Sequence, residues 1–309
     1  MSDQLHVIVG AGAIGSGAAR LLAARGEHVR VVTRSGTGPE VEGVERVAAD
    51  AADAPRLADL CRGAVALYNC ANPQYTDWTT DWPPLASSML SAAQASGAVL
   101  AIVSNLYGYG PVDGPMTEDL PLAATGTKGR IRAGMWRDAL AAHTAGRIRA
   151  TEVRGSDYVG PRAESQLGDR VVPRVLAGKA VRLLGNPDVP HSWTYVGDVS
   201  RLLVTVADDE RAWGRPWHVP SPAPCTQREA VNDIARVAGV PPVKVGAIPG
   251  PVLWSAGLVS PLMRELREVA YQTRRPFVLD STAAEKEFGL EPTPWEDVLN
   301  EIVAWYRAK

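Results

Sequence analysis

Three glycines near the start of the chain have a spacing suited to binding a phosphate group. Residues 10–15 read Gly-Ala-Gly-Ala-Ile-Gly, directly after an apolar run at residues 6–9 and before a helical pattern. Glycines so placed permit a tight turn, close approach of the backbone to a pyrophosphate, and close packing of the helix on the strand. The helix N-terminus adds oriented N–H groups and a positive dipole end. We therefore predict a dinucleotide site that includes Gly10, Gly12, Ala13, Ile14 and Gly15.

The residue that ends the second apolar run, residues 29–32, indicates which dinucleotide binds. Sites for NAD usually carry Asp or Glu there, about 20 residues past the glycines, to bind the ribose 2′-hydroxyl. This chain has Arg34, followed by Ser35. Since a guanidinium can hold a 2′-phosphate through two hydrogen bonds, we predict NADP, with NAD less favoured. The alternative is that Arg34 is a solvated loop charge.

The composition narrows the class of protein. The 309 residues carry a net charge of −2, and no run of Lys and Arg indicates nucleic acid or an anionic membrane. Residues 246–262 are apolar but include three prolines, so we expect a buried or substrate-facing segment rather than a membrane span. The cysteines and histidines are few and show no metal-binding spacing. We expect a cytoplasmic protein that binds a small molecule, and no metal, nucleic acid or membrane.

Strand-like and helical segments alternate through residue 155, which is typical of a doubly wound parallel α/β sheet. Ligands of such sheets bind at the carboxyl ends of the strands. Further cofactor candidates at these ends are Asp50, Ala51, Ala71, Asn72, Gly155, Ser156 and Tyr158. We predict a dinucleotide-binding domain at residues 1–160, to which segments near 192–221 and 276–290 return. The remainder of residues 161–309 is predicted to form a smaller mixed substrate lobe.

Several segments resemble, in content and order, the extended short-chain dehydrogenase/reductase family, which includes nucleotide-sugar epimerases and dehydratases. They are the glycine turn, Asp50, residues 105–108 (Asn-Leu-Tyr-Gly), residues 154–161 (Arg-Gly-Ser-Asp-Tyr-Val-Gly-Pro) and residues 194–199 (Thr-Tyr-Val-Gly-Asp-Val). The resemblance implies a Rossmann domain, a bound nicotinamide cofactor and chemistry at a carbinol carbon. By analogy it also implies a possible homodimer, formed through helices near residues 84–96 and 129–145.

The resemblance is incomplete at the residues that transfer the proton. It implies a Tyr four residues before a Lys, where the Tyr moves the hydroxyl proton and the Lys holds the nicotinamide ribose and lowers the pKa of the phenol. Lys128 is in place, but residue 124 is Ala, and no Tyr in the chain has a Lys four residues later. The usual hydroxyl residue is also displaced, because Ser104 lies one residue late on its strand.

Other residues could supply the missing proton. Tyr107 and Tyr109 follow the fifth strand, where a phenol near Lys128 could have a lowered pKa, although both could instead pack in a Gly-rich turn. Asn105 could orient a carbonyl oxygen, and Ser104 could contribute if the strand end twists.

Aromatic residues mark a candidate substrate site. Residues 72–84 are expected to form a loop whose aromatic side chains either stack on a substrate or pack against the C-terminal lobe. His191 is the histidine best placed to face the cleft, with Trp193 beside it. The candidate substrate residues are Tyr75, Trp78, Trp82, His191 and Trp193.

Two functions are consistent with this sequence. The first is an NADP-dependent oxidoreductase or epimerase/dehydratase-like enzyme that acts on a carbonyl, imine or carbinol carbon of a small organic substrate through a non-standard proton donor. The second is a catalytically silent NADP-binding sensor, which the absence of the Tyr favours. The aromatic segment and the full C-terminal lobe favour the enzyme.

Overall fold

A computed structural model describes residues 4–249 and 260–309, apart from the side chain of Leu262. Most of the apolar stretch at residues 246–262 therefore lies outside the described residues. None of the helices in the described part of the chain is both long enough and apolar enough to cross a membrane.

Strands and helices alternate through the first half of the chain. Their bounds are β1 (Leu5–Val9), α1 (Ala13–Ala24), β2 (His28–Thr33), β3 (Val44–Ala48), α2 (Ala54–Leu60), β4 (Ala64–Asn69), α3 (Trp78–Ser96), β5 (Val99–Asn105), α4 (Thr127–Thr144) and β6 (Arg149–Gly155). A 3-10 helix, Leu106–Tyr109, follows β5 directly.

The second half has shorter strands. It contains β7 (Asp157–Val159), α5 (Val172–Leu176), β8 (Val181–Leu183), β9 (Pro190–His191), β10 (Trp193–Tyr195), α6 (Val196–Asp208), β11 (Pro216–His218), β12 (Cys225–Thr226), α7 (Gln227–Val237), β13 (Val245–Ala247), α8 (Pro261–Glu268), α9 (Thr282–Phe288) and α10 (Trp295–Ala308). Two 3-10 helices, Glu210–Ala212 and Ala270–Thr273, precede β11 and follow α8.

Within the described residues, seven strands form one sheet in the order β11-β6-β5-β4-β1-β2-β3, and every pair is parallel. The strand order reverses between β1 and β4, so the carboxyl ends of these two strands border the position where such sheets bind ligands. The predicted doubly wound parallel sheet is confirmed.

The side chains of β1 alternate between two cores because successive residues of a strand point to opposite faces. Val7 and Val9 pack with α2, α3 and α4, whereas Ile8 packs with α1 and α6. A third core joins α5, α7 and α10. β11 returns to the edge of the sheet beside β6. The predicted limits of the two domains stay a prediction.

Helix α3 begins earlier than the sequence pattern suggests, so the expected loop over residues 72–84 is wrong in its second half. Pro83 and Pro84 favour a helix start at Pro84, because proline tolerates the first turn. The helix instead begins at Trp78. Trp78 and Trp82 lie four residues apart on its buried face, and this apolar contact holds the preceding turn helical.

A buried polar network links β6 and β11 to the turn after β5. Arg154 Nε donates to Glu152 Oε2 at 2.6 Å, and its Nη1 donates to the Tyr109 hydroxyl at 2.7 Å. That hydroxyl lies 2.8 Å from His218 Nε2, and His218 Nδ1 lies 2.8 Å from the Asp280 carbonyl oxygen. The carbonyl can only accept, so Nδ1 carries the proton and Nε2 accepts from the tyrosine. Burial lowers the pKa of His218 to about 4.

We predict that this histidine makes the folded state lose stability as the pH falls from 6.5 towards 4. In this range the unfolded chain binds a proton that folded His218 excludes, since its folded pKa is about 4 against an ordinary value of 6.5. At about 1.4 kcal/mol per pKa unit, the loss amounts to about 3 kcal/mol. Urea unfolding at several pH values should show a flatter pH dependence of the free energy of unfolding for His218→Gln than for the wild type. An equal loss in the wild type and His218→Gln would contradict the prediction.

Candidate functional site

The glycine turn joins β1 to α1 with little free space at two of its three glycines. Gly10 has a φ of 101°, and a Cβ there would lie 2.5 Å from the Cys70 carbonyl oxygen. A Cβ on Gly15 would lie 2.0 Å from the Gly10 carbonyl oxygen. These two glycines therefore let β1, α1 and the end of β4 approach one another closely.

Gly12, in contrast, faces open space. A Cβ on Gly12 would meet no described atom within 4 Å. Gly12 is also the N-cap of α1, and no side chain of the described residues caps that helix. The first N–H groups of α1 are thus free to bind an anionic group, which suits the pyrophosphate of a dinucleotide. Ala13 and Ile14, predicted to bind the cofactor, form the first turn of this helix.

Arg162 reaches the glycine turn from the segment that follows β7. Its backbone has a φ of 63°, a conformation that is uncommon for a residue other than glycine. Its Nη2 lies 3.4 Å from the Ala11 carbonyl oxygen, and nearby Glu164 Oε2 accepts from Asn72 Nδ2 at 3.3 Å. The ends of β1 and β4 are therefore bridged by one exposed segment.

The predicted cofactor residues beyond the glycines occupy the same edge of the sheet. Arg34 and Ser35 are exposed directly after β2, and the Ser35 hydroxyl lies 3.0 Å from that of Thr37. Asp50 is exposed after β3, with Ala51 buried beside it. The remaining candidates at this edge are Ala71 and Asn72 after β4, and Gly155, Ser156 and Tyr158 at the end of β6 and in β7.

Lys128 lies in the first turn of α4 with only 2% of its surface exposed. Its ammonium donates to the Tyr75 carbonyl oxygen at 2.6 Å and lies 2.8 Å from Glu265 Oε2. The same nitrogen is 4.0 Å from the centre of the Tyr75 ring. The backbone N–H of Lys128 donates to Glu268 Oε1 at 2.6 Å. Helix α8 thus brings two carboxylates to the lysine.

Tyr75 and Tyr107 lie near this lysine, and the lowered phenol pKa expected for Tyr107 is wrong. Their hydroxyl groups are 3.5 Å apart. Burial raises the pKa of both phenols. The ammonium of Lys128 contacts the ring face and the carbonyl of Tyr75, so it does not offset that burial at the phenol oxygen. That Tyr107 moves a proton stays a prediction.

The expectation that Tyr109 could transfer a proton in the cleft is wrong. Tyr109 is buried, hydrogen-bonded to Arg154 and His218, and burial raises its pKa to about 12. Ser104 is buried on β5, and its carbonyl accepts from the hydroxyl of Tyr158. Asn105 Oδ1 accepts from the N–H of Tyr107 at 3.1 Å, which caps the 3-10 helix.

Two tryptophans expected to stack on substrate form a cage around a buried cation instead. The guanidinium of Arg132 lies 4.7 Å from the ring centre of Trp78 and 4.3 Å from that of Trp82. Both indoles are buried, Trp82 completely, so the expectation of an exposed aromatic loop is wrong for them. Tyr75 is half-buried and lies three residues before the start of α3, beside Lys128.

His191 and Trp193 are also buried, so the expectation that they face an open cleft is wrong. His191 is packed between Trp193 and Phe277, with ring centres 4.6 and 5.4 Å away. Its Nε2 lies 2.9 Å from Asp157 Oδ2. The pairing of β9 with β12 places this histidine inside the lobe.

The sequence analysis missed Arg132, Glu265 and Glu268. Arg132 lies four residues after Lys128 and therefore on the same helix face, which is a detectable signal. Glu265 and Glu268 are one turn apart, but nothing local connects them with a residue 140 positions earlier. Among the described residues, no group of three or more metal-binding side chains could hold a metal ion.

Comparison with known proteins identifies the family. The sequence profile of the NAD dependent epimerase/dehydratase family matches residues 6–219, which is more than half of the chain, so the chain belongs to this family. A dTDP-glucose 4,6-dehydratase of Streptomyces griseus is 27% identical over 226 residues. That match covers 71% of this chain and 62% of the relative.

Solved structures share the fold over nearly the whole chain. A UDP-N-acetylglucosamine 4-epimerase from Methanobrevibacter ruminantium, in complex with UDP-N-acetylmuramic acid, has a TM-score of 0.82 at 15% identity and covers 100% of this chain and 99% of its own. A dTDP-glucose 4,6-dehydratase from Bacillus anthracis in complex with NAD has a TM-score of 0.80 at 19% identity, covering 99% and 97%. WbmH from Bordetella bronchiseptica in complex with NAD+ has a TM-score of 0.75 at 20% identity, covering 99% of both chains.

The different surroundings of Gly12 and Gly15 predict opposite effects of a single methyl group. Gly12→Ala should have a melting temperature near that of the wild type, because the methyl group enters open space. The same methyl group should keep the pyrophosphate away from the backbone. Binding of a nicotinamide dinucleotide should therefore be at least about tenfold weaker, which corresponds to 1.4 kcal/mol. Gly15→Ala should instead lower the melting temperature, because its methyl group meets the Gly10 carbonyl. Thermal unfolding and fluorescence titration with NADPH and NADH measure both effects. Unchanged binding by a folded Gly12→Ala would place the dinucleotide elsewhere.

Proposed function

We propose that this chain is an enzyme that uses a nicotinamide dinucleotide to oxidise or reduce a carbinol or carbonyl carbon of a small organic substrate. Such a step serves oxidoreduction, epimerisation or dehydration. The observation that carries the proposal is the uncapped start of α1 behind Gly12, where open space meets free backbone donors. Family membership and the position of Lys128 at the start of α4 support the same conclusion.

The residues present fit such a cofactor. The N–H groups of Gly12, Ala13 and Ile14 would hold the pyrophosphate at the N-terminus of α1. Two of the three ammonium N–H donors of Lys128 have protein partners, the Tyr75 carbonyl and Glu265. The third would be able to donate to a hydroxyl of the nicotinamide ribose. When bound, a nicotinamide ring supplies the site with a hydride donor or acceptor.

We propose NADP rather than NAD because Arg34 stands where NAD sites carry a carboxylate. Its guanidinium is exposed beyond the end of β2, beside the hydroxyl groups of Ser35 and Thr37. These groups can surround a 2′-phosphate with charge and hydrogen bonds. The solved structures of WbmH and of the Bacillus anthracis dehydratase hold NAD, which supports a nicotinamide dinucleotide, so the choice of NADP rests on Arg34 and its neighbours.

The names of the relatives suggest the substrate class. They are nucleotide-sugar dehydratases and epimerases, so a nucleotide sugar is the first candidate among small organic substrates. The imine and enone classes are alternatives because neither needs the usual tyrosine. The protein is proposed to act in the cytoplasm, where its three free cysteines would stay reduced.

A homodimer is proposed through α3 and α4. A groove of about 590 Å³ runs between these helices and is lined by apolar side chains that include Ala86, Leu90, Ile131 and Met135. The family resemblance implies pairing through the same two helices.

A catalytically silent sensor is the second candidate function. Its support is specific: residue 124 is Ala, and the ammonium of Lys128 already contacts Tyr75 and Glu265. A protein that binds the dinucleotide without transferring hydride needs no proton donor in this position.

Two measurements separate the two functions. Fluorescence titration with NADPH and NADH measures cofactor binding. Nicotinamide absorbance then measures turnover of dTDP-glucose, UDP-glucose, ketones, enones and imines. The enzyme requires binding and turnover of a compound, whereas the sensor requires binding without turnover.

Arg34→Glu should weaken NADPH binding at least about tenfold, equal to 1.4 kcal/mol, and leave NADH binding nearly unchanged. Arg62→Glu is the matched control, because it makes the same charge change just before the amino end of β4. Equal losses for both cofactors in Arg34→Glu would remove the NADP assignment, and no binding of either cofactor would contradict both functions.

A further inference from the structure

The lysine of the candidate site has an anionic partner that comes from helix α8. Glu265 Oε2 lies 2.8 Å from the ammonium of Lys128. The lysine side chain is 3% exposed, whereas that of Glu265 is 34% exposed. One member of the pair is therefore fixed in the interior, and the other can meet a molecule that enters from solvent.

Helix α8 packs on the turn that lacks the family's tyrosine. Ala124 lies four residues before Lys128, within this turn. A Cβ on Gly126 would lie 2.4 Å from Glu268 Oε1, and the same carboxylate accepts from the N–H of Lys128 at 2.6 Å. Glu268 thus anchors the helix to the start of α4, while Glu265, one turn earlier, contacts the ammonium.

Other groups near the lysine are less suited to accept a proton. Burial raises the pKa of Tyr75 and of Tyr107, which keeps both phenols protonated. The carboxylate of Asp157 already contacts His191 at 2.9 Å and accepts from Gln166 at 2.6 Å. Glu265 combines an oxygen in contact with the ammonium and access to solvent.

We propose that Glu265 is the catalytic proton acceptor in place of the absent tyrosine, a role that rests on the function proposed above. During oxidation of a carbinol, the substrate C–H bond would break and its electron pair would leave as hydride, for which a bound oxidised nicotinamide would be the acceptor. The O–H bond breaks, its proton passes to the Glu265 carboxylate, and the carbon–oxygen double bond forms. Reduction runs through the same groups in reverse.

The contact can be tested without a substrate. A carbodiimide joins a carboxylate and an amine in direct contact, so it should link Glu265 to Lys128 through an amide that mass spectrometry detects. NADPH should suppress this link, because a ribose at Lys128 shields the pair. Glu265→Gln should abolish the link, whereas Glu268→Gln should keep it, since the glutamine oxygen still accepts from the Lys128 N–H. Absence of the link, or a link that NADPH leaves unchanged, would overturn the proposal.

The rate of hydride transfer is the second measurement that tests the proposal. With the panel compound that the wild type turns over, Glu265→Gln should bind NADPH within about threefold of the wild type, yet lose about 10²–10⁴-fold in hydride transfer. Glu265→Asp should recover part of the rate, which guards against a Glu265→Gln variant that misfolds. Wild-type turnover by a folded Glu265→Gln overturns the role of Glu265 and leaves the proposed function intact. Failure of the wild type to bind NADPH and NADH removes both.

Discussion

The close packing of β1, α1 and the end of β4 is the constraint on which the rest of the site depends. Gly10 and Gly15 make it possible, because any larger residue at either position would meet a backbone carbonyl. The same packing places the N-terminus of α1 at the reversal of strand order, between β1 and β4. Gly12 then leaves the space in front of that helix open. One turn therefore combines tight packing on the sheet side with an open surface on the ligand side.

A second constraint acts at the start of α4, where charge is held in the interior. Lys128 and Arg132 are both buried on the same face of α4. The lysine is stabilised by a carbonyl, a carboxylate and an aromatic face, and the arginine by two indoles. Burial of a cation is costly unless such partners are present. The segment around Tyr75 and helix α8 therefore do more than cover the nucleotide domain, because they make the buried lysine possible.

The sequence allowed the parallel sheet and the family to be predicted because their signals are local. The glycine turn, the alternation of strands and helices, and the family resemblance all depend on residues close in sequence. The start of α3 was misjudged because the rule for proline at a helix start outweighed the spacing of Trp78 and Trp82. The positions of His191 and Glu265 could not be predicted, because long-range contacts determine them. Pairing of β9 with β12 places His191, and packing of α8 on the start of α4 places Glu265. Neither contact leaves a local pattern in the sequence.

The central claim is that a nicotinamide dinucleotide binds at the uncapped start of α1. Amide hydrogen exchange with and without saturating NADPH, resolved to single residues, tests it most directly. The account predicts that the amides of residues 12–15, which have no acceptor within the helix, exchange quickly in the free protein and slow markedly when the dinucleotide binds. Binding that leaves these amides unchanged, or that slows exchange only elsewhere in the chain, would contradict it.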